Sequence, residues 1–225
     1  MPFKVFYGWW IVAACFAVAL YVGGAVVYGF TAVFEPIASE FGWSYTQISL
    51  AASLRGLEMG LMAPLVGLLV DRWGPRRLTF AGAGLVGIGL MLLSQVNSLP
   101  MFYGTFGLVA IGTSACTSTV LMAAVANWFR RRVGIATGIM ASGFGASGLL
   151  VPVVTHLIDA CGWRTAMVIL GLEMLVVGLP LSLVLRHQPE SYGYLPDGDE
   201  SPVPPILRAW LLIITVRDTF RPGRL

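Results

Sequence analysis

The chain has 225 residues, of which 57% are hydrophobic and 11% are charged, and its mean hydropathy is +0.81. Soluble domains carry about 25% charged residues, so this composition excludes an ordinary soluble domain and predicts a polytopic membrane protein. The net charge is only +3 and the arginines cluster in short loops, so the sequence does not indicate a nucleic-acid-binding surface.

Six apolar segments are long enough to cross the roughly 30 Å hydrocarbon core of a bilayer as helices. Residues 1–186 are therefore predicted to form an all-α bundle of six transmembrane helices. The segments cover residues 7–34, 46–70, 78–95, 101–126, 134–157 and 165–185. Residues 187–225 are richer in polar residues, Pro and Gly, which predicts a cytoplasmic linker with one apolar patch too short to span a membrane.

Basic residues are divided unequally between the two sets of loops. By the positive-inside rule, the arginine-rich loops and both termini are predicted to be cytoplasmic. The implied location is the plasma membrane, or the inner membrane in a bacterium. The arginine-rich side holds Lys4, Arg72, Arg76, Arg77, Arg130, Arg131, Arg132 and Arg186, and the other side holds Glu35, Glu40, Asp159 and Arg164.

The tight turn between the second and third segments concentrates charge between two apolar runs. Its spacing, Gly-x3-Asp-Arg-x-Gly-x-Arg-Arg, resembles the signature loop of the major facilitator superfamily of transporters. The resemblance implies a cytoplasmic gate loop, whose acid lies against the positive end of a helix in a second half of the transporter. The matching residues are Gly67, Asp71, Arg72, Gly74, Arg76 and Arg77.

The same turn has a second copy 88 positions later, where Gly60 corresponds to Gly148. Eight residues are identical in this window without a gap, which indicates a duplicated unit. A chance match among Gly and Leu is the alternative. Six spans would place the two turns on opposite sides of the membrane, so the sequence predicts two three-helix repeats of inverted topology.

Two further stretches resemble the monocarboxylate-transporter-like branch of that superfamily. They are residues 7–10, which open the first helix, and residues 127–138, an aromatic, basic and small-residue run that leads into the fifth. The alternative interpretation is an aromatic belt with a basic loop. The fifth helix also resembles the superfamily's Gly-Pro motif, and both packing alone and packing with a hinge role stay open. Its residues are Gly138, Gly143, Gly145, Gly148 and Pro152.

Charged residues at membrane depth are the candidate functional residues. Arg55 and Glu58 lie three apart on one helical face, and Glu173 lies in the sixth segment. Such residues usually face a cavity or pair with each other, so a substrate or proton pathway and a structural ion pair are both open. Thr113 and Thr117 are added to the predicted pathway, although their hydroxyls are equally able to bond their own helix.

The resemblance covers one six-helix half and the start of a central loop, which residues 187–225 would represent in truncated form. It implies half of a secondary transporter that works by symport and moves a small organic solute, with a carboxylate as the expected anionic example. The second half would be a separate chain, a missing C-terminal half or the other copy in a homodimer. A non-transporting fragment or membrane scaffold is the alternative. Leu108 stands near the position where many members place an arginine, and the lysine that animal monocarboxylate carriers hold in helix one is absent. Both departures weaken the assignment of a monocarboxylate substrate coupled to protons. No enzyme, cofactor or metal site is predicted.

Overall fold

The computed structural model describes residues 6–186, so the predicted linker at 187–225 lies outside the described residues. Every regular element between residues 6 and 186 is helical, which confirms the all-α prediction. Five helices in this range are long and apolar enough to cross a membrane. They are Tyr7–Phe41, Tyr45–Leu93, Leu99–Ala126, Val133–Cys161 and Trp163–Val184.

Most of these long helices change their winding along their length. The α-helical pieces are α1 (Tyr7–Tyr21), α2 (Phe34–Phe41), α3 (Tyr45–Leu93), α4 (Leu99–Ser114), α5 (Ser118–Ala126), α6 (Val133–Ala146), α7 (Val151–Cys161), α8 (Trp163–Glu173) and α9 (Leu179–Val184). A π-helical stretch at Val22–Tyr28 and a 3-10 stretch at Gly29–Val33 connect α1 to α2. A 3-10 turn at Ser147–Leu150 connects α6 to α7, and a π-helical turn at Met174–Gly178 connects α8 to α9.

The longest helix, α3, has 49 residues and is interrupted at Gly74. At about 1.5 Å per residue a straight helix of this size would be roughly 70 Å long, more than twice the thickness of the hydrocarbon core. Gly74 has φ 78° and ψ 159°, a conformation open to glycine and not to residues with a Cβ, and it divides α3 into a first arm (45–73) and a second arm (75–93). Each arm is long enough to cross separately, and the six-helix count stays a prediction.

The second copy of the sequence repeat has the same turn. Gly162 lies between α7 and α8 with φ 79° and ψ 155°, within a few degrees of Gly74, its equivalent at the 88-residue offset. Matching backbone angles at matching sequence positions are not expected from a chance similarity in composition. The first arm of α3 and the turn at Gly74 therefore correspond to α6–α7 and the turn at Gly162.

Local sequence also sets the start of α3. Gly42 ends α2 in the left-handed conformation, at φ 64°. Ser44 then caps α3: its hydroxyl accepts a hydrogen bond from the Gln47 amide at 3.2 Å, and its own amide donates to Gln47 Oε1 at 2.9 Å. This capping box satisfies two backbone donors and turns the chain between the first two long helices.

Three helix crossings depend on glycine. A Cβ atom at Gly82 would lie 2.7 Å from the carbonyl oxygen of Gly112, and one at Gly171 would lie 2.7 Å from that of Gly87. A Cβ atom at Gly143 would lie 2.6 Å from the carbonyl oxygen of Phe16. These contacts bring the second arm of α3 against α4 and α8, and α6 against α1, at backbone distance, as is common where membrane helices pack.

Candidate functional site

Arg55 and Glu58 line one cavity of about 260 Å³ between the first arm of α3 and α4. The opposite wall is formed by Tyr103, Phe106 and residues up to Ile111. Among the lining residues only Arg55, Glu58 and Tyr103 have polar side chains. The hydroxyl of Tyr103 donates to the carbonyl oxygen of Gln47 at 2.9 Å, so its proton is committed to the start of α3.

Glu58 is the unusual member of this cavity. Both of its carboxylate oxygens are buried and have no hydrogen-bond partner. Within the described residues no ion pair joins it to Arg55, so the mutual contact that their spacing permits is not formed. A buried carboxylate without partners is energetically costly, and the cost is removed by a proton, a cation or a hydrogen-bond donor entering the cavity.

The two predicted threonines bond to their own helix. Thr113 is buried and donates to the carbonyl oxygen of Val109 at 2.5 Å, and Thr117 donates to that of Ser114 at 3.1 Å. Neither residue lines the cavity of Arg55 and Glu58. Of the two alternatives that the sequence left open for these hydroxyls, this geometry corresponds to bonding within the helix.

Glu173 lies apart from the other two charges. It lines a separate groove of about 200 Å³ together with Tyr21 and Leu150, and the two cavities have no lining residue in common. Tyr21 donates its hydroxyl to the carbonyl oxygen of Leu170 at 2.5 Å. The π-helical stretches of the first and last long helices begin next to Tyr21 and Glu173, and such turns often occur at functional positions.

The predicted gate loop surrounds the turn at Gly74. Asp71, Arg72 and Arg77 are exposed, whereas Arg76 and Gly67 are half-buried. Among residues 6–186 Asp71 has no hydrogen bond or ion pair. Trp73, beside the turn, exposes 53% of its surface.

The glycines of the long helix Val133–Cys161, which was predicted as the fifth segment, fall into two groups. Gly143 packs against α1, whereas added Cβ atoms at Gly138, Gly145 and Gly148 would meet nothing within 4 Å. Packing inside the chain therefore explains only Gly143. Pro152 is exposed near the start of α7, directly after the 3-10 turn that interrupts the helix.

Sequence reasoning missed a cluster around Arg164, which had been counted only as a loop charge. Its Nε and Nη2 donate to Glu40 Oε1 at 3.1 and 2.8 Å, and Trp163 Nε1 donates to Glu40 Oε2 at 2.6 Å. The guanidinium also donates to the carbonyl oxygens of Ser94 and Val96 at 2.6 and 2.9 Å. We call Glu40, Trp163 and Arg164 the clasp. The repeat carried the signal for it, because Arg164 is the equivalent of Arg76.

The opposite end of the bundle is closed by aromatic residues. The hydroxyl of Tyr7 donates to the carbonyl oxygen of Val184 at 2.9 Å, and Trp128 Nε1 donates to that of Arg186 at 3.0 Å. The Arg186 guanidinium lies 4.2 Å from the centre of the Tyr7 ring. Both stretches that resemble the monocarboxylate-transporter-like branch thus contact the end of the last helix. Their aromatic residues therefore also make contacts inside the protein, in addition to any role as interfacial anchors.

Comparison with known proteins identifies the family of the chain. Residues 8–221 match the family model of the Major Facilitator Superfamily. The chain is 33% identical over 190 residues to monocarboxylate transporter 12-B of Danio rerio, covering 82% of this chain and 39% of the relative. It is 31% identical over 218 residues to monocarboxylate transporter 12 of Rattus norvegicus, covering 91% and 44%. It is 32% identical over 139 residues to the fujikurins efflux protein of Gibberella fujikuroi, covering 59% and 30%.

The chain thus spans less than half the length of these curated relatives. The family match, in contrast, covers nearly the whole chain, and the relatives carry the names of transport proteins. This confirms both the resemblance found in the sequence and the prediction that the protein is not an enzyme. The chain belongs to the major facilitator superfamily, and it is a multi-pass membrane protein.

Proposed function

We propose that the chain forms one half of a secondary transporter that moves a small anionic organic solute, such as a carboxylate, by alternating access. The observation that carries the proposal is the cavity between α3 and α4, in which a guanidinium and an unpaired, buried carboxylate face the same space. Charged side chains at membrane depth are rarely retained without a function, and they usually mark a solute or ion pathway.

In this proposal Arg55 binds the solute. Its guanidinium is half-buried at the cavity wall and has no ion pair within the described residues. Guanidinium groups match carboxylates with two parallel hydrogen bonds, which adds geometric selection to charge attraction. The relatives named for monocarboxylate transport make a carboxylate the first solute class to test.

Glu58 acts as the switch. Because its oxygens are buried without donors, a proton stabilises it, and an anion on Arg55 makes that proton still more favourable. Solute and proton would then bind together, which is the condition for symport. Glu173 is assigned to the same pathway as a second charged residue, in the groove between the first and last long helices. Thr113 and Thr117 are assigned to the helix that forms the wall of the pathway, where their hydroxyls bond to backbone carbonyls.

The second half of the transporter would cover the faces that this half leaves open. In the first arm of α3 few side chains are buried, and the equivalent α6–α7 is similarly uncovered. Glycines without neighbours lie on both, and small residues allow close helix approach in membranes. These glycines are Gly56, Gly60, Gly67, Gly138, Gly145 and Gly148. Both termini would be cytoplasmic, which places the Asp71 loop on the cytoplasmic side.

An uptake measurement tests the proposal. The chain is expressed alone and as a fusion to the C-terminal half of a relative, and uptake of labelled mono- and dicarboxylates is compared. The fusion should take up one class in a pH-dependent manner, and Arg55→Gln should abolish uptake without loss of surface protein. If every fusion that reaches the membrane is inactive while the chain alone remains stable and inserted, the scaffold or fragment interpretation is supported instead.

A further inference from the structure

A third cavity, of about 480 Å³, lies between the two arms of α3 and α4. We call it the Arg72 groove. Its walls are almost entirely apolar, and its polar groups are Arg72 at the end next to the turn and the hydroxyl of Ser114. The indole of Trp73 lies beside Arg72 at the same end. Representative apolar wall residues are Met62, Leu65, Leu69, Leu78 and Leu85.

The dimensions of the groove match one leaflet of a bilayer. Along the first arm it extends from Met62 to Trp73, which corresponds to roughly 16 Å of helix. Half of the hydrocarbon core is roughly 15 Å thick. A groove that starts at the Gly74 turn therefore ends near the middle of the membrane, as an acyl chain of a phospholipid does. The exposed indole of Trp73 is typical of the headgroup level.

The charge at the open end selects the headgroup. Arg72 has no hydrogen bond or ion pair within residues 6–186. Arg76 and Arg77 lie in the same turn, and Asp71 is its one acidic residue. The local potential is therefore positive, and an unpaired guanidinium at this depth is suited to a phosphate.

The repeat supplies an internal comparison. In the second copy Leu150 and Glu173, the equivalents of Met62 and Leu85, line the smaller groove of about 200 Å³. Ala160 and Cys161 replace Arg72 and Trp73. That groove has an acid among its lining residues, and neither Trp163 nor Arg164, which lie beyond the turn at Gly162, lines it. The chemistry that favours an anionic lipid thus occurs in one copy of the repeat and is absent from the other.

We propose that the Arg72 groove binds one anionic phospholipid, with an acyl chain along the first arm of α3 and its phosphate on Arg72. The lipid would fill the space between the two arms of α3 next to the turn at Gly74. The proposal depends on the membrane location of the chain and is independent of transport, so it survives even if no solute is moved.

Lipid retention by the full chain provides the test. The protein is purified in mild detergent, supplied with phosphatidylglycerol or with phosphatidylcholine of identical acyl chains, and examined by native mass spectrometry. We expect one phosphatidylglycerol to bind tightly and phosphatidylcholine to bind at least fivefold more weakly, about the effect of one basic residue at a membrane surface. Equal binding of the two lipids would overturn the proposal.

Two variants separate the headgroup contact from the tail contact. Arg72→Gln should weaken phosphatidylglycerol binding by about fivefold or more, whereas Arg77→Gln, a matched change in the same turn outside the groove, removes only its share of the local positive potential and should weaken binding by a smaller factor. Ala81→Phe, which fills the groove without changing charge, should also displace the lipid. Thermal unfolding of each variant shows whether it is folded, and the comparison uses only variants that unfold like the parent chain.

Three further results would contradict the proposal. Equal losses in Arg72→Gln and Arg77→Gln would mean diffuse charge attraction, and unchanged binding in Ala81→Phe would place the tail elsewhere. A chain that dimerises through this groove and excludes lipid would show that a second copy is the occupant.

Discussion

The guanidinium of Arg164 joins the end of α2 to the start of α8 by donating two hydrogen bonds to one oxygen of Glu40. Its other bonds go to the carbonyl oxygens of Ser94 and Val96 after α3, so a single side chain fastens three helix ends. The ion pair itself is about one-third exposed and contributes little. The bonds to the carbonyl groups matter more, because those acceptors have no partner if the arginine is removed.

Arg164→Gln is therefore expected to lower the free energy of unfolding by about 2 kcal/mol, since charge-assisted bonds to two carbonyls are lost. Glu40→Gln should have a smaller effect because Arg164 keeps its carbonyl acceptors. Thermal unfolding in detergent measures both, with the reaction of buried Cys15 and Cys116 with a thiol dye as the signal. Thr165→Ala, at an exposed neighbouring position, is the control. Equal melting temperatures for Arg164→Gln and this control would show that the clasp is dispensable.

The orientation of the chain is testable with a cysteine that it already has. Cys161 is exposed next to the turn at Gly162, whereas Cys15 and Cys116 are buried. Because the arginine-rich loops are predicted to be cytoplasmic, an impermeant maleimide should label Cys161 in intact cells. Cys161→Ser should abolish the labelling, and Arg77→Cys in that background should react only after permeabilisation. The reverse pattern would invert the predicted topology.

Asp71→Asn should impair transport by the completed transporter and leave membrane insertion normal. The expectation follows from the exposed position of Asp71 and from the attraction of an acid to the positive end of a helix. Asp159→Asn, the same change at the equivalent position of the repeat, is the matched control and should have a smaller effect. Transport that is unchanged in Asp71→Asn would reduce the loop to a topology signal.

Exchanging the two charges of the cavity separates a solute site from a structural pair. Arg55→Glu combined with Glu58→Arg keeps both charges but moves the cation, so a solute site should lose transport while the protein still inserts and folds. A structural pair would tolerate the exchange and retain transport. The absence of an ion pair between these two described residues favours the first outcome. Uptake and surface expression of the completed transporter are the two measurements.

Two glycines of α6, Gly143 and Gly145, are expected to respond differently to substitution by alanine. A Cβ atom at Gly143 would lie 2.6 Å from a backbone oxygen of α1, so Gly143→Ala should destabilise the isolated chain by about 1–3 kcal/mol. Gly145→Ala places its methyl group in open space and should change stability by less than about 0.5 kcal/mol. It should instead weaken association with a second half. Thermal unfolding and co-purification with that half measure the two effects, and equal destabilisation by both changes would contradict this division.

Sequence patterns predicted the helical class, the turn at Gly74 and its repetition at Gly162, because apolar length and glycine spacing act locally. The junctions within helices escaped prediction. The π-helical stretches begin after Tyr21 and Glu173 inside continuous apolar runs, where apolar length and periodicity give no signal for a change of winding. Helical spacing alone puts Gly143 and Gly145 on different faces, but which of these faces packs against α1 could not be assigned before the neighbours were known.

Prediction of the candidate site was uneven. The spacing of Arg55 and Glu58 placed them on one face, and they line one cavity, but spacing alone permits a contact that the side chains do not form. Thr113 and Thr117 were ambiguous because a hydroxyl is able to satisfy itself on its own helix. Arg164 was missed because its partners lie some 70 and 120 positions away in the chain.

The two ends of the bundle are fastened differently at equivalent atoms. Val96 and Val184 correspond at the 88-residue offset, and the carbonyl oxygen of the first accepts from Arg164 while that of the second accepts from Tyr7. A neutral phenol thus does at one end what a cation does at the other. Arg76, the repeat equivalent of Arg164, does not make this contact and has no hydrogen bond or ion pair among residues 6–186. Of the two arginines that correspond in the repeat, Arg164 is held inside the bundle, and Arg76 is available to a group outside the described residues.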